Sequence, residues 1–445
     1  MLSRIIKSLT IVAVFVLAVA ADAPPPAAEF PPGALPDRIV LTPGADPAHQ
    51  MAVAFRTNSS QTASEAEIAV SLDSPGFGAR AKRVSGTMLP PALGGANYHH
   101  IVFNGLEPDT AYAYRVKGSA GFSAWFQFRT AAAGFKPFRF VYFGDHQHDI
   151  LSVGARAVRQ AMLSGPALAL HAGDLTNQRT PEDGDNEWGE WAAAGGYAYA
   201  MVPQVPAVGN HEYIGGGPAG PASLWGAVFA LPQNGPDPVK ATTYTFEYQG
   251  VRFIVLDGTA ALRYGALGAE TAWLESVLQK NTARWTVVMV HQPMFMCSRQ
   301  NDLPAFQSAW KPLFEKYGVD LALQGHDHCY ARWSNPDSKV KPQKRLTGPV
   351  YLISVAGGKM YPINDKTKAT ADRVAEDTQL YQVIDVEADR LRVQAFTVSG
   401  VLFDDFSIQR TKQGKRLVVA PKLPPSRLCT GDTGPDGVAC IATRK

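Results

Sequence analysis

The chain has 445 residues, of which 46% are hydrophobic and 18% are charged, as in an ordinary globular protein with room for about two or three domains. The formal net charge is only +3, with both signs interspersed, so the chain lacks the basic surface that binds nucleic acid. We therefore expect a globular protein without a nucleic-acid partner.

The first 23 residues have the three parts of an export signal. Arg4 and Lys7 precede the apolar run Ile11–Ala20, and small residues around its end offer a cleavage site. The run is too short to span a bilayer comfortably, and no later segment of the sequence reaches spanning length. We expect residues 1–23 to be removed and the mature chain, without a transmembrane segment, to be secreted or periplasmic.

Proline-rich residues 24–36 predict an extended linker, and residues 37–131 have the pattern of an all-β domain. Short segments of alternating apolar and polar residues are separated by turns, as in RIVLTP, MAVAFRT, EAEIAVSL, HHIVFNGL, AYAYRVKG and AWFQFRT. This spacing predicts a β-sandwich at the N-terminal side of the chain.

From residue 137 to residue 410 the pattern changes to strands that alternate with helices. Apolar strands such as FRFVYF, ALALH and WTVVMV are separated by helical candidates at Ile150–Leu163, Asn186–Met201, Ala269–Gln279 and Pro304–Tyr317. The last strands of this region have an antiparallel pattern. We therefore expect an α/β domain with mixed β-sheets between helices, followed by a C-terminal extension at residues 411–445.

Five polar loops, each directly after a buried strand, carry the candidate site residues. Their carboxylate, amide and imidazole side chains are Asp145, Gln147, Asp174, Asn210, His211, His291, His326 and His328. Because ligand sites of α/β sheets gather outside the carboxyl ends of the strands, these distant residues are expected to converge. Such side chains suit one or two divalent metal ions.

The four cysteines are expected to be paired, because an exported chain meets an oxidising environment. Cys429 and Cys440 would close a short loop in the polar tail. Cys297 and Cys329 each follow one of the candidate histidines, so their loops would be neighbours if both histidines served one metal centre. A disulfide is the favoured interpretation for this second pair, with a thiolate ligand or a free buried thiol as the alternatives.

Taken in chain order, the motifs GD, GD, GNHE, VxxH and GHxH resemble those of the calcineurin-like metallophosphoesterase superfamily. The stretch GLEPDTAYAYRV, which resembles part of a fibronectin type III-like domain, makes the chain similar to the purple acid phosphatase-like branch. The resemblance covers roughly Asp37 to Gln409. It implies an α/β metallophosphoesterase domain that hydrolyses phosphate monoesters with a hydroxide held between two divalent ions of iron, manganese or zinc.

The same resemblance implies a role for each site residue. Asp174 would bridge the two ions, as a carboxylate able to use both of its oxygens. The remaining ligands would be Asp145, Gln147 and His328 for the first ion and Asn210, His291 and His326 for the second. His211 would lie near the substrate and protonate the leaving oxygen or stabilise the transition state. Asn177 and Arg299 would line the cleft that receives a small phosphorylated substrate.

Two positions depart from the most common family pattern. The purple enzymes place a tyrosine three residues after the bridging aspartate, where this chain has Asn177. The charge-transfer colour of those enzymes is therefore expected to be absent. Where other members have Asp-x-His in the first loop, this chain has Asp145-His146-Gln147. The register favours Gln147 as the ligand, with His146 or His148 as alternatives.

Two other functions stay open at this point. A phosphodiesterase or nucleotide hydrolase would use the same metal pair, and the loops do not show how the cleft treats a second ester group. A cell-envelope binding protein with an inactive catalytic domain belongs to a different class. The complete set of ligand residues argues against it, because a cluster of carboxylates without its metal repels itself.

Overall fold

The structure, a computed structural model, describes residues 30–89, 95–178, 184–431, 433–434 and 437–440. The predicted export signal and residues 24–29 of the predicted linker lie outside the described residues. The rest of that linker lies along the first domain, since Asn58 N–H donates to the Gly33 carbonyl at 2.8 Å. Within the described ranges, no helix is both long and apolar enough to cross a bilayer.

The first domain is a β-sandwich, and all six predicted segments form strands in it. Its strands are β1 (Asp37–Pro43), β2 (Gln50–Asn58), β3 (Glu65–Val70), β4 (Lys82–Ser85), β5 (Thr87–Leu89), β6 (Ala96–Asn104), β7 (Ala111–Gly118), β8 (Gly121–Phe122) and β9 (Phe126–Arg129). One sheet has the order β1-β2-β6-β5, and the other has the order β4-β3-β7-β8 with β9 paired to β7. Alternate residues of β7, such as Tyr112 and Tyr114, point into the core between the sheets.

The second domain alternates strands and helices as its sequence pattern predicts. Its strands are β10 (Phe138–Phe143), β11 (Leu168–His171), β12 (Gln204–Pro206), β13 (Tyr244–Tyr248), β14 (Val251–Leu256), β15 (Trp285–Val290), β16 (Leu321–Gln324), β17 (Tyr330–Ser334), β18 (Val350–Ile353), β19 (Arg373–Ala375), β20 (Leu380–Val386), β21 (Arg390–Thr397), β22 (Leu402–Thr411) and β23 (Gly414–Val419). Its helices are α1 (Ala155–Met162), α2 (Gly184–Gly195), α3 (Tyr197–Met201), α4 (Ser223–Val228), α5 (Gly258–Arg263), α6 (Leu267–Gln279), α7 (Pro304–Ala309), α8 (Lys311–Lys316) and α9 (Asp365–Thr370).

The strands of this domain form two seven-stranded sheets, both of them mixed. The first has the order β12-β11-β10-β20-β21-β22-β23, and the second has the order β13-β14-β15-β16-β18-β17-β19. Strands β10, β11 and β12 run parallel in the first sheet, as do β14, β15, β16 and β18 in the second. The predicted antiparallel pairing of the late strands is confirmed by β20, β21 and β22.

The side chains of β14 show how the two sheets share a core. Phe253 faces the first sheet and contacts Phe140 of β10 edge to face, with ring centroids 5.4 Å apart. The next residue, Ile254, faces the other way and packs with Leu274 of α6 and Phe314 of α8. This period of two places one sheet face against the other sheet and the opposite face against helices. The predicted fold class, a β-sandwich followed by mixed sheets between helices, is confirmed.

Two of the predicted helices are divided, so the prediction of one continuous helix at each place is wrong. The helix predicted over Pro304–Tyr317 breaks at Trp310, because Pro312 at the start of α8 has no N–H to continue the ladder. The helix predicted over Asn186–Met201 breaks at Gly196, which has a φ of +52°. Glycine adopts that left-handed conformation without a steric penalty.

The C-terminal extension predicted from residue 411 begins inside a β-hairpin. Strand β22 ends at Thr411, and β23 pairs with it as the edge strand of the first sheet. Leu417 of β23 is buried in the main core. The first part of the predicted extension therefore belongs to the sheet, because its apolar side chain completes the packing there.

An ion-pair network joins the two domains at Asp185, in the first turn of α2. Arg38 Nη1 donates to Asp185 Oδ1 at 2.8 Å, and Arg56 Nη1 lies 3.3 Å from Asp185 Oδ2. Both arginine side chains are almost completely buried, with 3% and 1% of their area exposed. Tyr114 of the sandwich adds a hydrogen bond of 2.7 Å to the Ala200 carbonyl of α3. The sandwich therefore packs against the helices that follow the Asp174 loop.

Candidate metal centre

The candidate site lies where strands from both sheets of the second domain end. In the first sheet, Asp145 and Gln147 follow β10, Asp174 follows β11 and Asn210 follows β12, whereas in the second sheet His291 follows β15 and both His326 and His328 follow β16. All seven predicted ligands thus come from carboxyl ends of parallel strands. The structure brings them together in two groups.

The first group contains Asp145, Gln147 and His328. Asp145 Oδ2 lies 3.1 Å from His328 Nε2, and the Gln147 amide nitrogen lies 2.8 Å from the same ring atom. Gln147 Nε2 also lies 3.0 Å from Asp174 Oδ2. One ligand atom each from Asp145, Asp174 and His328 falls within 4.8 Å of the others, a spacing that suits a single ion.

The second group contains Asn210, His291 and His326. His291 Nε2 lies 3.3 Å from Asn210 Oδ1 and 3.2 Å from His326 Nδ1. It also lies 3.1 Å from Asp174 Oδ2. Ligand atoms of Asp174, His291 and His326 again fall within 4.8 Å of one another.

The two groups share Asp174, and both contact the same oxygen of its carboxylate. Gln147 of the first group and His291 of the second both contact Oδ2. The other oxygen, Oδ1, accepts a hydrogen bond of 2.9 Å from His211 N–H. The backbone of the next loop thus contacts Oδ1, while side chains of both groups contact Oδ2.

Backbone carbonyls set which ring nitrogen each histidine presents to the site. His291 Nδ1 lies 2.7 Å from the Ala172 carbonyl, and His328 Nδ1 lies 2.8 Å from the Lys359 carbonyl. A carbonyl only accepts, so each Nδ1 carries the proton and Nε2 is turned toward the site. Such a partner fixes both the orientation and the tautomer of a metal-binding imidazole.

The unsatisfied atoms of the first group fit a cation. Asp145 Oδ2 and Gln147 Oε1 are buried and lack a hydrogen-bond donor in the described structure. With the proton of His328 on Nδ1, the Nε2 lone pair faces the lone pairs of the Asp145 carboxylate. A cation between them would satisfy both groups, and rotation of the Gln147 amide would turn its oxygen toward the same ion.

The second group shows the same need for positive charge through the pKa of His291. Burial lowers this pKa, but the carboxylates of Asp174 and Asp145 outweigh burial and raise it to about 9. Without a metal, a proton therefore neutralises the group at neutral pH. A divalent ion would displace that proton, so metal binding is coupled to proton release.

The backbone at the ligands adopts conformations that L-residues rarely take. The φ angle is +47° at Asp174, +73° at His326 and +45° at His328. Each such residue costs about 1–3 kcal/mol, and strain of this kind clusters at functional sites. Two motif glycines leave space for the candidate ligand carboxylates. A Cβ atom at Gly209 would collide with Asp174 Oδ1, and one at Gly325 would collide with Asp145 Oδ1.

Comparison with known proteins agrees with this geometry. Residues 36–130 match the family described as "Purple acid Phosphatase, N-terminal domain", and residues 138–330 match "Calcineurin-like phosphoesterase". The second domain therefore belongs to the calcineurin-like phosphoesterases. The sandwich in front of the catalytic domain is the N-terminal domain found in purple acid phosphatases.

Individual relatives are distant in sequence and close in fold. An uncharacterized protein of Mycobacterium tuberculosis is 28% identical over 314 residues, which cover 60% of this chain and 59% of that protein. "Purple acid phosphatase 23" of Arabidopsis thaliana is 26% identical over 62% of this chain and 67% of its own length. The structure of purple acid phosphatase PPD1 from yellow lupin superposes with a TM-score of 0.70 at 18% identity, over 85% of this chain and 75% of that one. The chain thus matches only about three-fifths of the length of the Mycobacterium tuberculosis protein.

His211 lies beside the shared aspartate and is partly exposed. Its Nδ1 contacts the backbone carbonyl of Asn177. In the described residues no protein group bonds to the other ring nitrogen, Nε2, which is therefore available to a substrate. The Asn177 side chain, predicted to line the cleft, is buried, and its backbone carbonyl contacts the His211 ring.

His146, the alternative to Gln147 in the first loop, points away from the ions. It is buried against the ring of Phe143 and lies 3.4 Å from His171 Nδ1. Burial and the neighbouring His171 hold the pKa of His146 well below its usual value. His171 in turn bonds to Gln204, at 2.8 Å. The structure therefore places Gln147, and not His146, against Asp174 and His328.

Glu212 is a residue of the site that metal-ligand chemistry alone does not predict. Its carboxylate accepts hydrogen bonds from the backbone N–H groups of Asp174 at 3.0 Å, Leu175 at 2.7 Å and Gly209 at 2.7 Å. Burial and the charge of Asp174 raise its pKa to about 8, although the backbone donors oppose this. Glu212 thus joins the Asp174 loop to the Asn210 loop. The position of Glu212 as the fourth residue of the GNHE motif could have indicated this role.

A disulfide joins the His291 loop to the GHDH loop. Cys297 is bonded to Cys329, and Cys429 is bonded to Cys440, so both expected pairs are present. The Asp327 carbonyl oxygen lies 3.7 Å from Cys297 Sγ and 3.0 Å from Cys329 Sγ. The Asp327 carboxylate accepts a hydrogen bond of 2.8 Å from Ser298 N–H. Arg299 Nη1 pairs with the same carboxylate and donates to the His326 carbonyl at 3.0 Å.

A sixth loop, after β18, also lines the centre and was not expected from the sequence. Gly357 N–H donates to the Asp145 carbonyl at 2.7 Å, and Tyr361 N–H donates to the His328 carbonyl at 3.1 Å. The Tyr361 ring packs on the ring of His328, with centroids 4.7 Å apart. The segment VYLISVAGG could have indicated this loop, because it is an apolar strand followed by small residues, the same pattern that precedes the ligand loops.

Proposed function

We propose that this protein is an exported, metal-dependent phosphatase that hydrolyses phosphate monoesters. The observation that carries the proposal is the meeting of two ligand groups at Asp174 Oδ2, with His211 directly beside them. A carboxylate shared by two sets of nitrogen and oxygen ligands suits a pair of divalent ions. Export is supported by the predicted signal at residues 1–23 and by the two disulfides.

The ligand set fits two ions of iron, manganese or zinc. Asp145, Gln147 and His328 would hold one ion, Asn210, His291 and His326 would hold the other, and Asp174 would hold both. Mixed imidazole and oxygen ligands suit these metals better than calcium or magnesium, which prefer oxygen alone. When bound, the ions supply Lewis acidity, which acidifies water and offsets the charge of a phosphate.

His211 would act on the leaving group. Its Nδ1 proton is held by the Asn177 carbonyl, and its backbone N–H is held by Asp174 Oδ1. These two contacts fix the ring, so that a protonated Nε2 can donate to the leaving oxygen of an ester at the metal centre. The P–O bond then breaks with the leaving oxygen already receiving its proton.

Glu212 and the disulfide would hold the loops in place for this reaction. Glu212 binds backbone N–H groups of the Asp174 and Asn210 loops, and the Cys297–Cys329 bond ties together the two histidine loops. The centre is thus assembled from loops that are joined to one another. A binding protein with an inactive catalytic domain has no use for this arrangement, and this argues against that alternative.

The test is hydrolysis by the purified protein after reconstitution with iron, manganese or zinc. We expect 4-nitrophenyl phosphate, a monoester, to be hydrolysed with a higher kcat/KM than bis(4-nitrophenyl) phosphate, a diester. Asp174→Ala should abolish both activities. Asp389→Ala, a change of an exposed aspartate in the turn between β20 and β21, serves as the matched control. A preference for the diester would establish the phosphodiesterase alternative, and metal binding without any hydrolysis would establish the binding protein.

A further inference from the structure

Two segments of the second domain carry exposed cations that the proposed reaction does not use. One segment is the loop between β17 and β18, residues 335–347, and the other is the hairpin formed by β22 and β23. Their exposed cations are Lys339, Lys341, Lys344, Arg345, Arg410, Lys412 and Arg416. We name these seven residues the basic surface. A net charge of +3 for the whole chain does not reveal it, because acidic residues elsewhere offset its charge.

Backbone hydrogen bonds join the loop to the hairpin. Leu346 N–H donates to the Lys415 carbonyl at 2.7 Å. Leu417 N–H donates to the Pro342 carbonyl at 2.8 Å. Arg416 lies between the two hairpin residues of these bonds. The cations of the loop and of the hairpin therefore belong to one continuous surface.

The buried side chain of Asn335 holds the loop in its shape. Its amide nitrogen donates to the carbonyls of Val340 and Arg345, both at 2.8 Å, and its amide oxygen accepts from Thr347 N–H at 2.8 Å. Asn335 has a φ of +53°, a left-handed conformation that asparagine adopts more readily than most residues. The loop therefore presents its cations from a fixed backbone.

Three acidic residues close to the basic surface pair with cations outside it. These ion pairs are Asp337 with Lys311 at 3.0 Å, Asp320 with Lys415, and Asp389 with Arg284 at 3.5 Å. Within the described ranges of the chain, none of the seven cations forms an ion pair of its own. Their charge is therefore available to a partner of negative charge.

The directions of the strands place the basic surface at the end of the second domain opposite to the metal centre. Strand β18 runs parallel to β16, so the loop before β18 lies at the opposite end from His326, which follows β16. Three antiparallel pairings lead from β10 through β20 and β21 to β22. The end of β22 therefore lies opposite to Asp145, which follows β10. A partner on the basic surface would leave the metal centre open.

We propose that the basic surface binds a lipid bilayer with anionic headgroups, so that the metal centre faces away from the bilayer. Charge complementarity supports this partner, because each basic side chain near an anionic bilayer strengthens binding about fivefold. Binding of this kind involves no chemical step. It goes beyond the proposed function and does not depend on which ester the metal centre hydrolyses.

Two exposed apolar side chains favour a bilayer over a charged polymer. Val340 lies between Lys339 and Lys341, and 41% of its area is exposed. Val418, 37% exposed, lies on the same face of β23 as Arg416, because alternate residues of a strand share a face. Apolar side chains among cations enter the boundary between headgroups and acyl chains, whereas a charged polymer offers them no apolar region.

The test is sedimentation of the metal-loaded protein with lipid vesicles. The protein should lack residues 1–23, because their apolar run would itself enter a bilayer. We expect it to bind vesicles of phosphatidylglycerol and phosphatidylcholine and not vesicles of phosphatidylcholine alone. Binding should weaken as the salt concentration rises, because dissolved ions screen exposed charges.

Two variants remove cations from the two halves of the basic surface. The loop variant carries Lys341→Gln, Lys344→Gln and Arg345→Gln, and it should bind the anionic vesicles about 100-fold more weakly, at about fivefold for each charge. The hairpin variant carries Lys412→Gln and Arg416→Gln, and its binding should fall about 25-fold. Both should keep the wild-type Tm, because exposed side chains contribute little to stability.

The matched control removes the same number of charges as the loop variant from the sandwich. It carries Arg80→Gln, Lys82→Gln and Arg83→Gln, which are exposed on the first domain, and it should bind the vesicles as the wild-type protein does. An equal loss of binding in the control and the loop variant would overturn the inference, because only net charge would then matter. Wild-type protein that fails to bind anionic vesicles at low salt would also overturn it. If that protein instead binds polyphosphate, the basic surface belongs to a charged polymer and not to a bilayer.

Discussion

Oδ2 of Asp174 lies 3.1 Å from Nε2 of His291, and these two residues follow strands of different sheets. The metal centre is therefore built across the join between the sheets, and neither sheet carries a complete site. Ions bound there would hold the two sheets together. Since they bind the folded chain and not the unfolded one, they should also raise its stability.

The first prediction concerns metal content. Purified protein should contain about two transition-metal equivalents, and removal of the metals with a chelator should lower the Tm. Asp174→Ala should lose both ions together, because both groups use its Oδ2. Elemental analysis and thermal denaturation measure the two effects, with Asp389→Ala as the control. Retention of one full equivalent by Asp174→Ala would show that Asp174 is not the shared ligand.

The second prediction concerns colour. The position that carries a tyrosine in the purple enzymes is Asn177, whose amide side chain cannot supply a phenolate. Protein loaded with ferric iron should therefore lack a strong visible charge-transfer band. Absorption spectroscopy across the visible range measures this directly. A persistent purple band would mean that a phenolate reaches the iron and that the ligand assignment is wrong.

The third prediction separates His211 from the ligands. His211→Ala should keep both ions, because only the backbone N–H of residue 211 contacts Asp174. The rate should fall by about 10²–10⁴, the usual contribution of a general acid. The loss should be larger for alkyl phosphates than for 4-nitrophenyl phosphate, because nitrophenolate leaves without protonation. Equal losses on the two ester types, or loss of metal, would contradict the general-acid role.

The fourth prediction concerns the Cys297–Cys329 disulfide. Replacing both cysteines with serine should lower the free energy of unfolding by about 4 kcal/mol, because the unfolded chain regains the entropy lost by closing a loop of this size. It should also weaken metal binding, because the bond ties the His291 loop to the loop of His326 and His328. Denaturant unfolding and metal titration measure these effects. The Cys429→Ser, Cys440→Ser double variant is the matched control, and we expect it to alter stability without altering metal affinity.

The fifth prediction concerns the buried carboxyl of Glu270. Burial, followed by the charge of Asp257, raises its pKa well above 4.5. The folded protein therefore binds this proton more tightly than the unfolded chain does. The stabilising effect of this tighter proton binding is complete below the unfolded pKa of Glu270, about 4.5, and is lost as pH rises toward its folded pKa.

Glu270→Gln should thus make stability less dependent on pH above about 4.5, with an effect of about 1.4 kcal/mol for each unit of raised pKa. The glutamine oxygen can still accept from Thr243 Oγ1 and Asp257 N–H. Denaturant unfolding at several pH values compares the variant with the wild-type protein. A parallel pH dependence for the two proteins would show that Glu270 is ionised in the folded state.

The fold and the ligand positions could be predicted because both depend on local sequence. Strands such as β10 and β15 are short apolar runs, and the residues directly after them enter the site by the geometry of parallel sheets. Glu212, Lys359 and Tyr361 act through contacts with loops that are distant in sequence. No periodicity indicates such contacts, because they exist only after the sheets have packed.

Errors in the expected structure have the same origin. The apolar spacing of Pro304–Tyr317 predicted a continuous helix, yet Pro312 interrupts the hydrogen bonds of its backbone. The hydrogen bond from His211 N–H to Asp174 Oδ1 was likewise not expected, because this donor belongs to a loop whose approach the sequence does not show.

The burial of Arg38 and Arg56 against Asp185 has a consequence for how this protein could be divided. Removing the sandwich would leave Asp185 without its cations. Removing the second domain would leave Arg38 without its carboxylate, whereas Arg56 would keep its ion pair with Asp37. In a chimaera whose sandwich lacks these arginines, Asp185 would stay buried without a cation, at a cost of about 3–5 kcal/mol, a large share of the stability of an ordinary domain. The two domains should therefore melt in a single transition. A sandwich exchanged between related proteins would fit only if its two arginines and helix α2, which carries Asp185, were exchanged together.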